Sequence, residues 1–348
     1  MRATTMTTGV RRRPRRLAAL AAAALIAGLN LSACGAQNGP TTTIRYQSSA
    51  GSVDVLQLAA ALGYLDGVTL KKVGDVTGGP QAVQALVGDQ VDISTSCFFG
   101  AIGQVVATGA PIKAVVATYG SNAKVSSQIV TLEDSSVRSA QDLVGKKIAV
   151  NTLGANAEAV IDTWMLKSGL TQDQIRQVTL VPLPPLNMVE ALQEHQVDAI
   201  DVGTGLVKAT EETGLDLRTL VKDTDVVGTY NGGGASMRTD FLDENPRTSE
   251  KVVTGIAKAV RYIESHPRDQ VLKVYDAWLR ENGYGSYVAA VDKNWGGSTG
   301  VATPQTAAMR DRDFSIWLDW LKARGDVDPS KARPSNVYTN QYNDVAKG

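Results

Sequence analysis

Four short polar runs carry the groups best suited to chemistry: Ser48-Ser49-Ala50-Gly51, Ser94-Thr95-Ser96, Thr152-Leu153-Gly154-Ala155-Asn156 and Asp201-Val202-Gly203-Thr204. Each follows a β-prone stretch and precedes a helical pattern, so it offers unpaired backbone N–H groups beside hydroxyl or amide side chains. Such groups hold a polar or anionic ligand without breaking a bond. No Lys or Arg falls in these runs, so an anion would rest on helix dipoles and neutral donors, which suits a sulfonate better than a strongly charged phosphate. Ser, Thr and Asn before helices also serve as ordinary N-caps, and that reading stands beside the first for any single run.

The expected ligand set is Ser48, Ser49, Gly51, Thr95, Ser96, Thr152, Gly154, Ala155, Asn156 and Asp201. Gly51 and Gly154 lack the Cβ that would keep a ligand from the backbone. Tyr119 and Tyr230 could stack on a ligand or bond it, and Asn231 offers both donor and acceptor. Asp201 would meet an amine or a hydroxyl, or else cap the helix that follows it.

Bond-making chemistry has weaker support. Gly296-Gly297-Ser298-Thr299-Gly300 matches the G-x-S-x-G pattern of a nucleophile elbow, but both histidines, His195 and His266, precede the serine and "VDKNW" is a poor strand. Cys97 opens a helical pattern with no base near it in sequence, and reads as a packed small hydrophobe. Two histidines and one spare thiol form no zinc cluster, so neither metal nor cofactor is expected.

The elements that must position these runs alternate. "TIRYQ", "VTLKKVG", "VDIST" and "IKAVVATYG" are strand-like, with 3.6-period apolar stretches between them, and a second such series starts at Ser126. This predicts an α/β fold with largely parallel sheets. "AVQALVGDQVD" (82–92) and "MVEALQEHQVD" (188–198) align without gaps at an offset of 106, which points to two similar lobes. After Gly228 one more strand-like stretch leads into helical patterns that return to the first lobe; Trp317 and Trp320 read as its packing.

The 348 residues are 43% hydrophobic, ample for sizeable cores. Six arginines and no acid lie before residue 34, which leaves 29 basic against 35 acidic residues in the body and no basic footprint for nucleic acid. "RRRPRR", the apolar run from Leu17 and "LSAC" have the layout of an export signal, and Arg12-Arg13 fits a twin-arginine signal poorly. Leu31-Ser32-Ala33-Cys34 resembles the bacterial lipobox, in which cleavage precedes an acylated cysteine. That resemblance implies a signal peptide over 1–33 and a lipid on Cys34, and leaves Cys97 without a disulfide partner; "GAQNGPTTT", rich in turn formers and without apolar periodicity, completes a flexible tether over 34–43.

With the lipobox, "IRYQSSAG", "ALVGDQVDISTS", "SAQDLVGKKIAVNTLGAN" and "EALQEHQVDAIDV" resemble the substrate-binding proteins of ABC importers for sulfonates, taurine and nitrate, over nearly all of residues 31–270. The resemblance implies a two-lobed type II periplasmic-binding-protein fold: lobe 1 from 44–120 and 228–348, lobe 2 from 121–227, with hinge crossovers near 119–126 and 226–230. It further implies a monomeric, lipid-anchored, extracytoplasmic binding protein and no enzyme. Its partners would be a small-molecule solute, taurine-like or another aliphatic sulfonate, and an ABC permease with its ATPase. A nitrate-like anion, an aromatic acid, a pyrimidine precursor or an enzyme on the same scaffold remain as alternatives. Family members often carry an aromatic near Asp201, and "ENGYGSYVAAVDKNWGGSTG" has no counterpart in the resemblance.

Overall fold

In the computed structural model, residues 41–48, 51–76 and 78–347 are described, with the Leu186 side chain left aside. The expected signal peptide, Cys34, most of the expected tether and Ser49 lie outside these residues. Thr43, the last residue expected in the tether, instead starts a strand, and Thr41 is already tied down: its N–H donates to Asn245 Oδ1 (2.6 Å) and its carbonyl accepts from Thr248 Oγ1 (2.8 Å).

The strands are β1 (Thr43–Ser48), β2 (Thr69–Asp75), β3 (Ile93–Phe98), β4 (Ile112–Ser121), β5 (Ser127–Leu132), β6 (Lys147–Val150), β7 (Thr179–Pro182), β8 (Ala199–Gly203), β9 (Leu217–Lys222) and β10 (Tyr230–Arg238). They form two sheets, ordered β2-β1-β3-β10-β4 and β7-β6-β8-β5-β9. Each has a parallel trio joined by helical crossovers and one strand, β10 or β5, antiparallel to both its neighbours. The sheets are therefore mixed, and the antiparallel strand of each is the one entered directly from the other sheet. The chain passes from the first sheet to the second between Ser121 and Ser127, and returns between the short helix Asp223–Val227 and Tyr230.

The 106-residue repeat is a structural repeat. Asp92 Oδ2 accepts from Arg45 N (2.7 Å) at one offset position, and Asp198 Oδ2 accepts from Lys147 N (2.8 Å) at the other. Asp89 and His195, also 106 apart, both adopt positive φ (54° and 55°) at the turn between helix and strand. His195 is thus a turn residue. The repeated aspartates satisfy strand N–H groups that the ladder leaves unpaired.

The helix Pro246–Ser265 shows why the late patterns fold back. Val252, Val253, Ile256, Ala257, Val260 and Ile263 recur at helical spacing and are all buried, while proline starts the helix at no hydrogen-bond cost. Asp311–Arg324 buries Phe314, Trp317 and Leu321, and the Trp317 ring meets Phe98 and Tyr230 edge-on, each at 5.3 Å. A separate apolar cluster, including Val130, Met188, Leu192 and Ile200, packs the helix Pro185–Gln193 on the second sheet.

Candidate functional site

A cavity of about 620 Å³ lies where the two crossings meet the strand ends of both sheets. Gly51, Ser52, Gly120 and Ser121 wall it from the first sheet; Ser126, Ser127, Asn156, Pro185 and Thr204 wall it from the second. Asp223 and Tyr230 close it at the return crossing. A smaller cavity of about 170 Å³ shares Ser52, Trp295 and Ser298 with it and is lined by Thr95, Ser96 and Tyr119. The larger volume is in the range that encloses a small organic molecule.

The polar centre of the larger cavity is Asp223, 1% exposed. Its Oδ2 accepts from Ser121 Oγ (2.5 Å) at the end of β4, from Ser127 N (3.0 Å) at the start of β5, and from Tyr230 Oη (2.9 Å) at the start of β10. One carboxylate oxygen thereby joins the outgoing and the returning crossing. Tyr230 Oη in turn accepts from Asn156 Nδ2 (2.9 Å). Burial raises the Asp223 carboxyl above its ordinary value, against the pull of these donors and of the Thr224 amide, and burial likewise raises the Tyr230 phenol well above its own.

Three helix starts line the same space: Asn156–Lys167, Pro185–Gln193 and Thr204–Glu211. Their N-cap residues, Ala155, Pro184 and Gly203, make no side-chain capping bond. The starts at Asn156 and Thr204 therefore present amides that a ligand acceptor could take, Thr204 N itself being bonded to Ser126 O (3.0 Å), whereas Pro184 and Pro185 have no N–H and Asn187 N donates to Pro184 O (2.9 Å). The capping alternative is met elsewhere: Asp54, outside the four runs, accepts from Leu56 N and Gln57 N (both 3.0 Å).

Of the expected site residues, Gly51, Asn156 and Tyr230 line the larger cavity and Thr95, Ser96 and Tyr119 the smaller. Gly51 has φ +82°, a conformation that favours glycine. The others are used differently. Ser94-Thr95-Ser96 and Asp201-Val202-Gly203 belong to β3 and β8 and form no loop, because the ladders run on through them. Thr95 Oγ1 donates to Asp54 Oδ2 (2.7 Å). Ser48, 3% exposed, donates to Asp75 Oδ1 (3.3 Å). Thr152 packs against Gly78, where a Cβ would come within 2.8 Å of its Cγ2, and Gly154 and Ala155 line neither cavity. Asn231 is fully buried and structural, donating to Asp313 Oδ2 (2.7 Å) and accepting from Ala302 N (2.8 Å).

Asp201 also lines neither cavity; it accepts from Ser127 Oγ (2.7 Å), one layer behind the wall. Burial chiefly, and then the nearby Asp223 charge, push its carboxyl up to about 7 despite the serine. A carboxyl raised in the fold above its ordinary 3.8 contributes stability that is complete below about pH 4 and lost as pH rises towards 7. Asp201→Asn is therefore expected to gain up to about 4 kcal/mol at pH 8 and almost nothing at pH 4. Urea unfolding at the two pH values checks this; an equal change at both would refute it.

The segment without counterpart in the resemblance supplies much of the wall through Ala290, Asn294, Trp295, Gly296 and Ser298. Ser298 donates to Glu264 Oε1 (2.5 Å), which also accepts from Thr299 N (2.8 Å) and Thr299 Oγ1 (3.1 Å). Cys97 is fully buried and its thiol is pushed up to about 12 by burial, so it holds no thiolate at neutral pH. No group of three or more metal-ligating side chains occurs among the described residues. Asp223, Ser127 and Glu264 escaped the sequence reading. For Asp223 the available signal was its place directly before the predicted return crossing.

The paired mixed sheets and the cavity between them define a type II periplasmic-binding-protein fold, two α/β lobes joined by two crossings. The chain belongs to the NMT1/THI5 like family, which its residues 56–270 match. Among solved structures it is similar to the alkanesulfonate-binding protein SsuA of Xanthomonas axonopodis pv. citri bound to MOPS (TM-score 0.63, 19% identity, covering 86% of this chain and 100% of the other). It is similar also to the periplasmic aliphatic sulphonate binding protein SsuA of Escherichia coli (0.58, 18%, 84% and 92%). A third similar structure is the periplasmic nitrate-binding protein NrtA of Synechocystis (0.66, 14%, 89% and 90%). No curated protein sequence matches it.

Proposed function

We propose that this protein is the extracytoplasmic solute-binding component of an ABC importer, lipid-anchored through Cys34, which delivers a small polar solute to its permease. The observation that carries the reading is the cavity at the junction of the two crossings, walled by both sheets. A ligand there touches both lobes, so binding favours their closure by its differential affinity for the closed state. The uncapped starts of two helices, at Asn156 and Thr204, favour an acid group such as a sulfonate at one end of the solute. Binding without turnover is supported by the shielded Cys97, the engaged Ser298 and, among the described residues, the absence of histidine from the walls of both cavities. No helix of the described residues is long and apolar enough to cross a membrane.

A thermal-shift screen of alkanesulfonates, taurine, nitrate, aromatic acids and pyrimidines tests this reading. A true ligand at 100 Kd adds about 2.7 kcal/mol to stability. Failure of every class to raise the unfolding midpoint would count against a solute-binding role.

A further inference from the structure

Asp223 Oδ2 gathers three donors, but Oδ1 has no hydrogen-bond partner and is shielded from water. A buried, unpaired carboxylate oxygen is costly to keep. Nor does a cation of the protein compensate it. Among the described residues no Lys or Arg lines either cavity. Arg312 and Lys167, the basic side chains bonded nearest in sequence to Asp223, are held by the carbonyls of Val227, Thr229 and Val226. The same walls also offer positive helix ends, the uncapped starts at Asn156 and Thr204. Pro184, Pro185, Leu206 and Trp295 supply apolar surface in the same walls.

Resting on the solute-binding reading, we infer that the solute is a zwitterion: its acid group takes the helix-start amides, and its ammonium, or an equivalent protonated nitrogen, pairs with Asp223. A simple alkanesulfonate or nitrate fills only one of these two ends. It leaves Asp223 Oδ1 without a donor and brings a second negative charge near it. A zwitterion satisfies both ends and adds no net charge to a cavity that has no cation of its own.

Calorimetry with matched probes tests this in the unaltered protein: 2-aminoethanesulfonate against ethanesulfonate, 3-aminopropanoate against propanoate, and butylamine alone. The amino acid of at least one pair should bind at least about tenfold more tightly than its ammonium-free partner, the value expected for one charge-assisted hydrogen bond, and butylamine should bind weakly. Asp223→Asn should reduce that preference to within about threefold, with folding checked by circular dichroism. Equal binding of the ammonium-free partners, or a preference that survives Asp223→Asn, overturns the zwitterion inference and leaves the solute-binding reading standing. If no probe binds and the wider screen is also silent, the solute-binding reading itself fails, and the inference with it. If the screen instead yields a ligand without a protonated nitrogen, only the inference fails.

Discussion

Gly120→Ala is expected to destabilise the protein by about 3 kcal/mol or more, at the upper end of what overpacking costs. A Cβ at Gly120 would stand 2.1 Å from the Tyr230 carbonyl oxygen, 3.0 Å from the Gly300 carbonyl oxygen and 3.1 Å from Asn231 Cα. All three are backbone atoms, so no side chain can swing away. The place also matters for function. Gly120 precedes the outgoing crossing, Tyr230 follows the returning one, and Gly120 N donates to Thr299 O (3.0 Å) in the late wall of the cavity. Forcing these segments apart should loosen the two crossings and weaken solute binding together with stability. Gly203→Ala is the comparison, since nothing lies within 4 Å of the added methyl and the backbone there is extended. Urea unfolding of both variants decides the matter: matching midpoints would show that the close approach at Gly120 carries no stability.

Glu264→Ala should cost about 3 kcal/mol and weaken solute binding by detaching the 298–300 turn. A carboxylate in the last turn of the helix Pro246–Ser265 faces the negative end of the helix dipole, which by itself is unfavourable. It is held there by three donors from Ser298 and Thr299 on Oε1, with Lys124 of the outgoing crossing 3.3 Å from Oε2. Removing the carboxylate orphans the Thr299 amide, a group with no ready substitute. Glu264→Gln keeps an acceptor oxygen and loses mainly the pairing with Lys124. That lysine is 63% exposed, so its contribution is small, and the Gln variant should fall within about 1 kcal/mol of the native protein. Unfolding midpoints and calorimetry on the pair check this. If Gln proves as damaging as Ala, charge rather than the turn's hydrogen bonds is what holds the segment.

The order of elements, the return of the late helices to the first sheet and the two crossings were legible in the chain, because periodicity and turn residues are local signals. The repeat at offset 106 was equally legible, since the same helix-turn-strand unit makes the same demands twice: an aspartate for the neighbouring strand's N–H and a turn residue that tolerates positive φ. The four polar runs were found but read as loops. Two of them are strand ends, and which of their side chains reach the cavity depends on strand register and on neighbours distant in sequence.

By itself, then, the sequence determined an α/β chain in two similar halves, with polar strand ends rich in small residues and no base among them, because these follow from local pattern and composition. Only the tertiary structure decided that Asp223 holds both crossings, that Asn231 and Asp201 stand behind the wall, and that the segment ending in Gly300 closes it. A carboxylate's role is set by the donors around it. Here those donors come from residues up to 102 positions away, a separation no local pattern encodes.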